Sequence, residues 1–470
     1  MLIGAGERVH HCGYTPVMPY RWNPREQLAL TRYAIKWLLL AVPVGAVIGS
    51  AVAFFLWALE RVTYLRCRTD MGASGIPWLL FLLPLAGVAI GWLYHYFGKS
   101  VEAGNNLIIE QIHFPGGGVP ARMAPLVLIG TVVTHLFGGS AGREGTAVQM
   151  GGSIASTASR FFKLDRDDTR MLLMAGVAAG FGAVFGTPLA GAVFAVEVLA
   201  IGLVDFQSII PCLIASVVGD YVTAAWGIHH ATYPIHSIVP QGLASATAGL
   251  NWLLLSKVAL AAIVFGLVSV LFAKLTHGLH RLFQATIAQP LLRPAVGGAI
   301  IILLAWLIGP DYLGLGVNPD PKHGGVSIVS IFQFANATPW SWWWKILFTA
   351  VTLSSGFKGG EVTPLFFIGA ALGNTMAHLL GAPPDLFAGL GFVAVFAGAT
   401  NTPLACTIMG IELFAGQADL LHSGFVVYLA TACFLAYLFS GHSGIYLSQR
   451  IGKPKIVSRY LATKGSIRGT

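Results

Sequence analysis

The stretch GVAAGFGAVFGTPLAGAVFAVEVL, residues 176–199, recurs in altered form as GFVAVFAGATNTPLACTIMGIELF at residues 391–414. At this offset of 215 residues, eight of the 24 positions are identical, where average composition predicts about two. The identical positions include the run TPLA and a glutamate, which is Glu197 in the first copy and Glu412 in the second. The two stretches therefore indicate an internal duplication.

A second pair of related stretches lies upstream in each half. GREGTAVQMGG at residues 142–152 aligns with GGEVTPLFFIG at residues 359–369, at an offset of 217, so that Glu144 corresponds to Glu361. Because the two offsets are nearly equal, we infer that one duplication covers both pairs. Repeats in membrane transporters are commonly related by an axis in the membrane plane, with the transport site at their junction.

The composition is that of a polytopic membrane protein. Hydrophobic residues make up 55% of the chain and charged residues only 10%, where soluble domains carry about 25% charge. The mean hydropathy is +0.72. A soluble fold of 470 residues could not bury that much apolar surface. These values exclude a cytosolic enzyme, a nucleic-acid-binding protein and a disordered scaffold. They predict a protein that is embedded in the lipid bilayer.

The formal charge of +9 is concentrated at the two ends of the chain. Basic residues that flank membrane spans mark the cytoplasmic side. We therefore predict a multi-pass inner-membrane protein with both termini in the cytoplasm and an even number of full crossings. The C-terminal tail holds six basic residues and no acidic one among them, namely Arg450, Lys453, Lys455, Arg459, Lys464 and Arg468.

Apolar segments along the chain differ in length. Residues 37–59 and 77–97 are long enough to cross a bilayer, since a span needs about 20 residues. Many later segments are shorter and are interrupted by Gly or Pro, which favours broken helices that line a transport pathway. We expect a cytoplasmic N-terminal segment at 1–36, a first transmembrane repeat at 37–228, a loop at 229–251, a second repeat at 252–441, and an inner-gate segment with a basic cytoplasmic tail at 442–470.

The strongest local motif is GGSAGREGTAVQMGG at residues 138–152. A Gly-rich turn at a helix start presents free N–H groups and the positive end of the helix dipole, which together bind anions. The carboxylate of Glu144 would compete with an anion for those N–H groups, and on protonation it would release them. The alternative is an ordinary surface ion pair between Arg143 and Glu144. An acidic residue within the membrane indicates function by default.

Three further motifs carry polar groups. Asn105 and Asn106 offer carboxamide donors, although a turn or a helix cap is the alternative for Gly-Asn-Asn. In GGEVTP, Pro364 suits the first turn of a helix, and we expect Thr363 to cap that helix. Tyr446 lies near the cytoplasmic end, where an interfacial tyrosine is common.

Together these motifs resemble the CLC family of chloride channels and proton-coupled anion antiporters, over residues of about 35 to 450. The resemblance implies an all-α inverted-topology repeat of about 18 helices, many of them tilted or broken, and a homodimer with one pathway per subunit. It makes Glu144 the gating residue and the proton carrier. It also implies an anion-binding set of Gly104, Asn105, Asn106, Gly142, Arg143, Gly145, Val362, Thr363 and Tyr446.

Departures from the common family pattern narrow the function. Asn106 occupies the position of the serine that binds chloride in the common family pattern. Thr146 follows GREG, where the family usually has a proline. The internal proton-relaying glutamate of the chloride exchangers is Val198 here. These changes resemble the fluoride-exporting branch, CLC-F. We therefore expect a fluoride/proton antiporter that works without a cofactor or a metal and without enzymatic activity.

The sequence leaves two alternatives to this function. A chloride channel or chloride/proton exchanger of the same fold is the first. The second is an intramembrane serine protease, because both GASG around Ser74 and G-x-S-x-G around Ser140 are typical of nucleophilic serines. Such a serine needs a histidine on a later helix, and His378 is the candidate.

Overall fold

The computed structural model describes residues 23–69, 75–236, 250–318, 325–332, 338–414 and 424–456. These residues form an all-α membrane fold. The helices of the first half are α1 (Pro24–Cys67), α2 (Leu83–Leu93), α3 (Asn105–His113), α4 (Met123–Leu136), α5 (Glu144–Phe161), α6 (Arg166–Phe185), α7 (Pro188–Glu197) and α8 (Ile209–Ala225). Those of the second half are α9 (Trp252–Thr286), α10 (Leu292–Ile308), α11 (Ile328–Phe332), α12 (Ser341–Ser354), α13 (Val362–Leu380), α14 (Pro384–Thr400), α15 (Pro403–Phe414) and α16 (Phe425–Phe439).

Helix lengths follow the uneven apolar pattern of the sequence. In the described part of the chain, six helical stretches are long and apolar enough to cross a membrane. The two longest single helices among these stretches are α1 and α9. The helix α1 extends on both sides of the predicted 37–59 span. Others, such as α7 with 10 residues, are too short to cross alone. Partial helices are stable at membrane depth only where protein or a wet cavity surrounds them.

The two halves repeat one helix-packing arrangement. A methyl group built on Gly151 of α5 would lie 2.1 Å from the carbonyl oxygen of Gly176 on α6. In the second half, a methyl group on Gly369 of α13 would lie equally close, 2.1 Å, to the carbonyl oxygen of Gly391 on α14. Small residues let membrane helices approach closely. Gly176 and Gly391 are equivalent positions in the repeat, and at each of them the preceding helix, α5 or α13, packs closely against the helix that follows.

A short strand pair fastens the segment after α16 to the end of α7. Residues Ala200–Ile201 (β1) pair in parallel with Arg450–Ile451 (β2). The amide of Arg450 also donates to the carbonyl of Leu199 at 3.2 Å. This pairing brings the region of Tyr446 against the first repeat.

Candidate anion and proton site

Two helix starts, one from each repeat, meet in the structure. The helix α5 begins at Glu144 and α13 begins at Val362. The residues just before them form an antiparallel bridge, in which Gly142 and Gly360 exchange backbone hydrogen bonds of 2.6 and 2.7 Å. The positive ends of two helix dipoles and their free N–H groups therefore converge on one point.

Glycine is required at this junction because there is no space for a side chain. A methyl group on Gly360 would lie 2.8 Å from the amide nitrogen of Gly145. One on Gly142 would lie 2.9 Å from Cδ of Pro364 in α13. Real side-chain contacts of this kind are not that short, so a substitution would force the helix starts apart.

The Glu144 carboxylate lies between the two helix starts and is fully buried. Its Oε2 atom accepts hydrogen bonds from the amides of Arg143 at 3.1 Å and Thr363 at 3.0 Å. The Thr363 hydroxyl donates to Oε1. The carboxylate thus takes hydrogen bonds from backbone and hydroxyl donors at both helix starts.

Thr363 has a different role from the one that its sequence position indicates. We expected it to cap α13, but Glu361 is the N-cap residue and α13 has no side-chain cap. Thr363 lies inside the first turn, and its hydroxyl is directed across the repeat junction to Glu144. That expectation was wrong, because the partner of the hydroxyl comes from the other half of the chain and local spacing cannot show it.

The two asparagines at the start of α3 face different neighbours. The Oδ1 atom of Asn106 accepts a hydrogen bond of 3.0 Å from the amide of Ser448, two residues after Tyr446. The Nδ2 atom of Asn105 lies close to Gly145 of α5, 3.1 Å from where a methyl group there would be. The Oδ1 atom of Asn105 is buried and has no hydrogen-bond partner in the described part of the chain. Gly104, with φ of +58°, makes the turn that precedes both.

Tyr446 is buried within a segment that both repeats hold. The neighbouring amide of Ile445 donates to the carbonyl of Ala399 at the end of α14, at 2.9 Å. The Gln449 side chain donates to the carbonyls of Val198 at 2.8 Å and Thr400 at 2.9 Å. Sequence reasoning missed Gln449, because nothing in SGIYLSQR distinguishes it from a surface residue.

The serine motifs do not assemble a nucleophilic site in the described residues. The Ser140 hydroxyl pairs with the hydroxyl of Thr349 at 3.0 Å, and its amide nitrogen donates to Thr352. His378 lies in the last turn of α13 and is exposed. Ser74 lies outside the described residues.

Two related halves whose helix starts meet at a buried carboxylate are the arrangement of an inverted-repeat membrane transporter. The family model described as voltage gated chloride channel matches residues 86–441. The chain therefore belongs to this family, the CLC proteins.

Individual relatives agree with this assignment. The chloride/fluoride channel protein of Pseudomonas syringae pv. tomato is 49% identical over 437 residues, which cover 92% of this chain and 90% of that protein. The H⁺/Cl⁻ exchange transporter ClcA of Cronobacter sakazakii is 28% identical over 83% of this chain and 84% of its own. The crystal structure of a CLC-type fluoride/proton antiporter superposes on this structure with a TM-score of 0.79. The two sequences are 31% identical, and the match covers 92% of this chain and 100% of that chain.

Proposed function

We propose that this protein is a proton-coupled antiporter that exports fluoride from the cytoplasm in exchange for protons. The observation that carries the proposal is the Glu144 carboxylate, which takes its hydrogen bonds from both helix starts at once. A similar chain, named a chloride/fluoride channel protein, and a structural relative, a fluoride/proton antiporter, support the choice of ion.

The proposed mechanism follows from competition for one set of donors. While Glu144 is ionised, it occupies the N–H groups of Arg143 and Thr363 and blocks the anion path. Protonation removes the charge that those donors stabilise, so the side chain can leave and an anion can bind in its place. When the proton departs on the other side, the carboxylate returns and expels the anion. Each cycle thereby links one proton movement to an anion movement.

Fluoride is favoured by the number and kind of donors that converge here. It holds water tightly, so a binding site has to replace that water with several close donors. The helix starts at Gly142–Gly145 and Val362–Thr363 supply backbone N–H groups. The Thr363 hydroxyl already reaches the junction, and we propose that the Asn105 and Asn106 carboxamides and the Tyr446 hydroxyl add side-chain donors. A compact site also makes the larger chloride ion less favourable.

The membrane location, topology and oligomeric state of the protein are part of the same proposal. We assign the protein to the inner membrane with both termini in the cytoplasm, which puts the Tyr446 segment on the cytoplasmic side. The family resemblance implies a homodimer with one pathway per subunit, and chemical crosslinking of the membrane-bound protein tests it. Transport without enzymatic activity is part of this proposal.

Ion flux from proteoliposomes tests the function directly. Fluoride efflux, followed with a fluoride electrode, should exceed chloride efflux at least tenfold, a difference of about 1.4 kcal/mol. A proton gradient should drive fluoride uphill. Equal fluoride and chloride fluxes would overturn the fluoride assignment and leave a chloride channel or chloride/proton exchanger in its place.

A further inference from the structure

A small cavity adjoins the Glu144 site on the side opposite the C-terminal tail. The Tyr33 hydroxyl near the start of α1 donates to the carbonyl of Gln207 at 2.9 Å. Gln207 follows shortly after the strand β1, which pairs with the tail, so the start of α1 lies on the tail side. The other end of α1, from Leu56 to Cys67, lines a wide cavity of about 520 Å³ that includes Arg143. The small cavity shares Arg143 with this wide one. It therefore lies between the gate and the face of the membrane away from the tail, called here the far face.

The size of the small cavity suits one small ion. The volume open to the centre of a water molecule is about 10 Å³, so the cavity holds about one water molecule. Its lining includes residues with polar side chains, such as Arg143, His230 and Thr363, and aromatic residues such as Phe185 and Phe366. A fluoride ion is close to water in size, and chloride is larger.

Two buried nitrogen atoms from residues lining this cavity have no hydrogen-bond partner in the described structure. They are Nε of Arg143 and Nε2 of His230. The nearest carboxylate oxygen to the Arg143 Nε atom, Oε1 of Glu144, is 3.9 Å away, which is too long for a hydrogen bond. Buried polar groups without partners are rare and costly. Finding two of them around one cavity points to a ligand that satisfies both.

The imidazole of His230 is held in place by the end of α6. Gly186 has φ of +73°, and a methyl group there would lie 2.6 Å from Cδ2 of His230. Only glycine fits this backbone and leaves room for the ring. His230 belongs to the loop after α8, outside the helices, and burial, with Arg143 and His229 beside it, lowers its pKa to about 4. The ring is therefore neutral near pH 7 and offers one N–H group.

We propose that Arg143 and His230 form a second fluoride-binding subsite between Glu144 and the far face. The guanidinium supplies the positive charge, the imidazole supplies an N–H donor, and the aromatic rings exclude a hydration shell. A fluoride ion displaced by the returning Glu144 carboxylate would occupy this subsite before it leaves. This inference rests on the proposed function, because it takes fluoride as the transported ion.

Transport measured from each face separately tests the subsite. Right-side-out and inside-out membrane vesicles present radiolabelled fluoride to opposite faces of the full-length protein. We expect His230→Ala to raise the KM for fluoride at the far face about fivefold, the effect of one lost hydrogen bond, with the KM at the tail face unchanged. His230→Gln keeps an N–H donor and should restore most of the affinity at the far face. If His230→Ala does not reach the membrane, His230→Leu fills the space of the ring without a donor and replaces it.

The exposed neighbour His229 provides the matched control. His229→Ala should leave both KM values at the wild-type level. An unchanged far-face KM in His230→Ala, or an equal rise at both faces, would overturn the subsite. Comparable fluoride and chloride fluxes in the wild type would overturn the proposed function instead, and the face-specific KM for fluoride would still decide the subsite.

Discussion

Glu197 and Glu412 each accept two backbone hydrogen bonds from the first turn of the helix that carries the other. Glu197, the last residue of α7, accepts from the amides of Leu404 and Ala405 in α15 at 3.1 and 2.8 Å. Glu412 of α15 accepts from the amides of residues 189–190, at the start of α7, at 2.9 and 2.8 Å. A carboxylate at a helix N-terminus satisfies free N–H groups and complements the dipole. The duplicated glutamates therefore hold the two repeats together.

Replacing either glutamate should destabilise the protein by a similar amount. Glu197→Gln and Glu412→Gln each weaken two charge-assisted hydrogen bonds, with an expected loss on the order of 2 kcal/mol. Thermal unfolding in detergent measures the effect, and Glu110→Gln, which changes an exposed carboxylate on α3, is the control.

Proton coupling should survive both substitutions in the protein that folds. The coupling ratio is the proton flux divided by the fluoride flux in proteoliposomes. Glu197 is next to Val198, which cannot titrate, and its carboxylate is already occupied with the start of α15. A variant of Glu197 with normal stability and lost coupling would show that protons pass along α7, contrary to this interpretation.

Glu144→Gln should uncouple anion movement from proton movement. The carboxamide cannot titrate, and its NH₂ group would face the amide donors of Arg143 and Thr363, which need an acceptor. The side chain should therefore leave the junction and open the anion path. We expect fluoride flux to continue while a fluoride gradient no longer drives protons uphill. Proton pumping in this variant at the wild-type ratio would rule out Glu144 as the proton carrier.

The fold and the centre of the site could be predicted from the sequence because both depend on a repeated pattern. The TPLA runs, the aligned glutamates and the GREG and GGEVTP turns each occur in matched positions, and the structure brings the last two together through Gly142 and Gly360. Glycine-rich turns before apolar runs specify helix starts locally, so their chemistry is visible without the fold.

Contacts between distant segments could not be predicted in the same way. The Thr363 hydroxyl reaches Glu144, and Asn106 accepts from Ser448, across separations of 219 and 342 residues. His230 follows α8 in a stretch without a motif, and its place beside Arg143 depends on how α6 ends at Gly186. Such partners are set by tertiary packing, which spacing along the chain does not encode.

Asn106→Ser should shift anion selectivity toward chloride and should also loosen the Tyr446 segment. The serine hydroxyl is too short to replace the Oδ1 atom that accepts from the Ser448 amide at 3.0 Å. We expect the fluoride-to-chloride flux ratio in proteoliposomes to fall by about tenfold, which is about 1.4 kcal/mol.

Asn105→Ala separates the two asparagines. Its amide lies beside Gly145 and has no part in the Ser448 contact. If Asn105→Ala lowers the fluoride-to-chloride flux ratio and Asn106→Ser does not, the Asn105 carboxamide beside α5 is the one that determines anion selectivity. An unchanged ratio in both variants would assign selectivity to the helix starts and Thr363.

Lys455 gives the stability of the protein a pH dependence that a single substitution should remove. It lies beyond α16, and its ammonium donates to Oδ1 of Asn401 at 2.6 Å, to the Ser440 hydroxyl at 2.9 Å and to the carbonyl of Tyr437. These partners are neutral, and burial lowers the pKa of Lys455 to about 7. An unfolded lysine has a pKa of about 10.4. Between these two values the unfolded chain binds a proton that the folded chain does not, so this group makes stability rise with pH.

Lys455→Met should abolish that rise. We expect the difference in Tm between wild type and Lys455→Met, measured in detergent, to move in favour of the wild type as the pH increases from 7 to 9. The exposed Lys453 two residues earlier provides the control, and the Tm of Lys453→Met should run parallel to that of the wild type. Parallel curves for Lys455→Met as well would mean that Lys455 keeps its proton over this range, and that its bonds to Asn401 and Ser440 stabilise the tail equally at every pH tested.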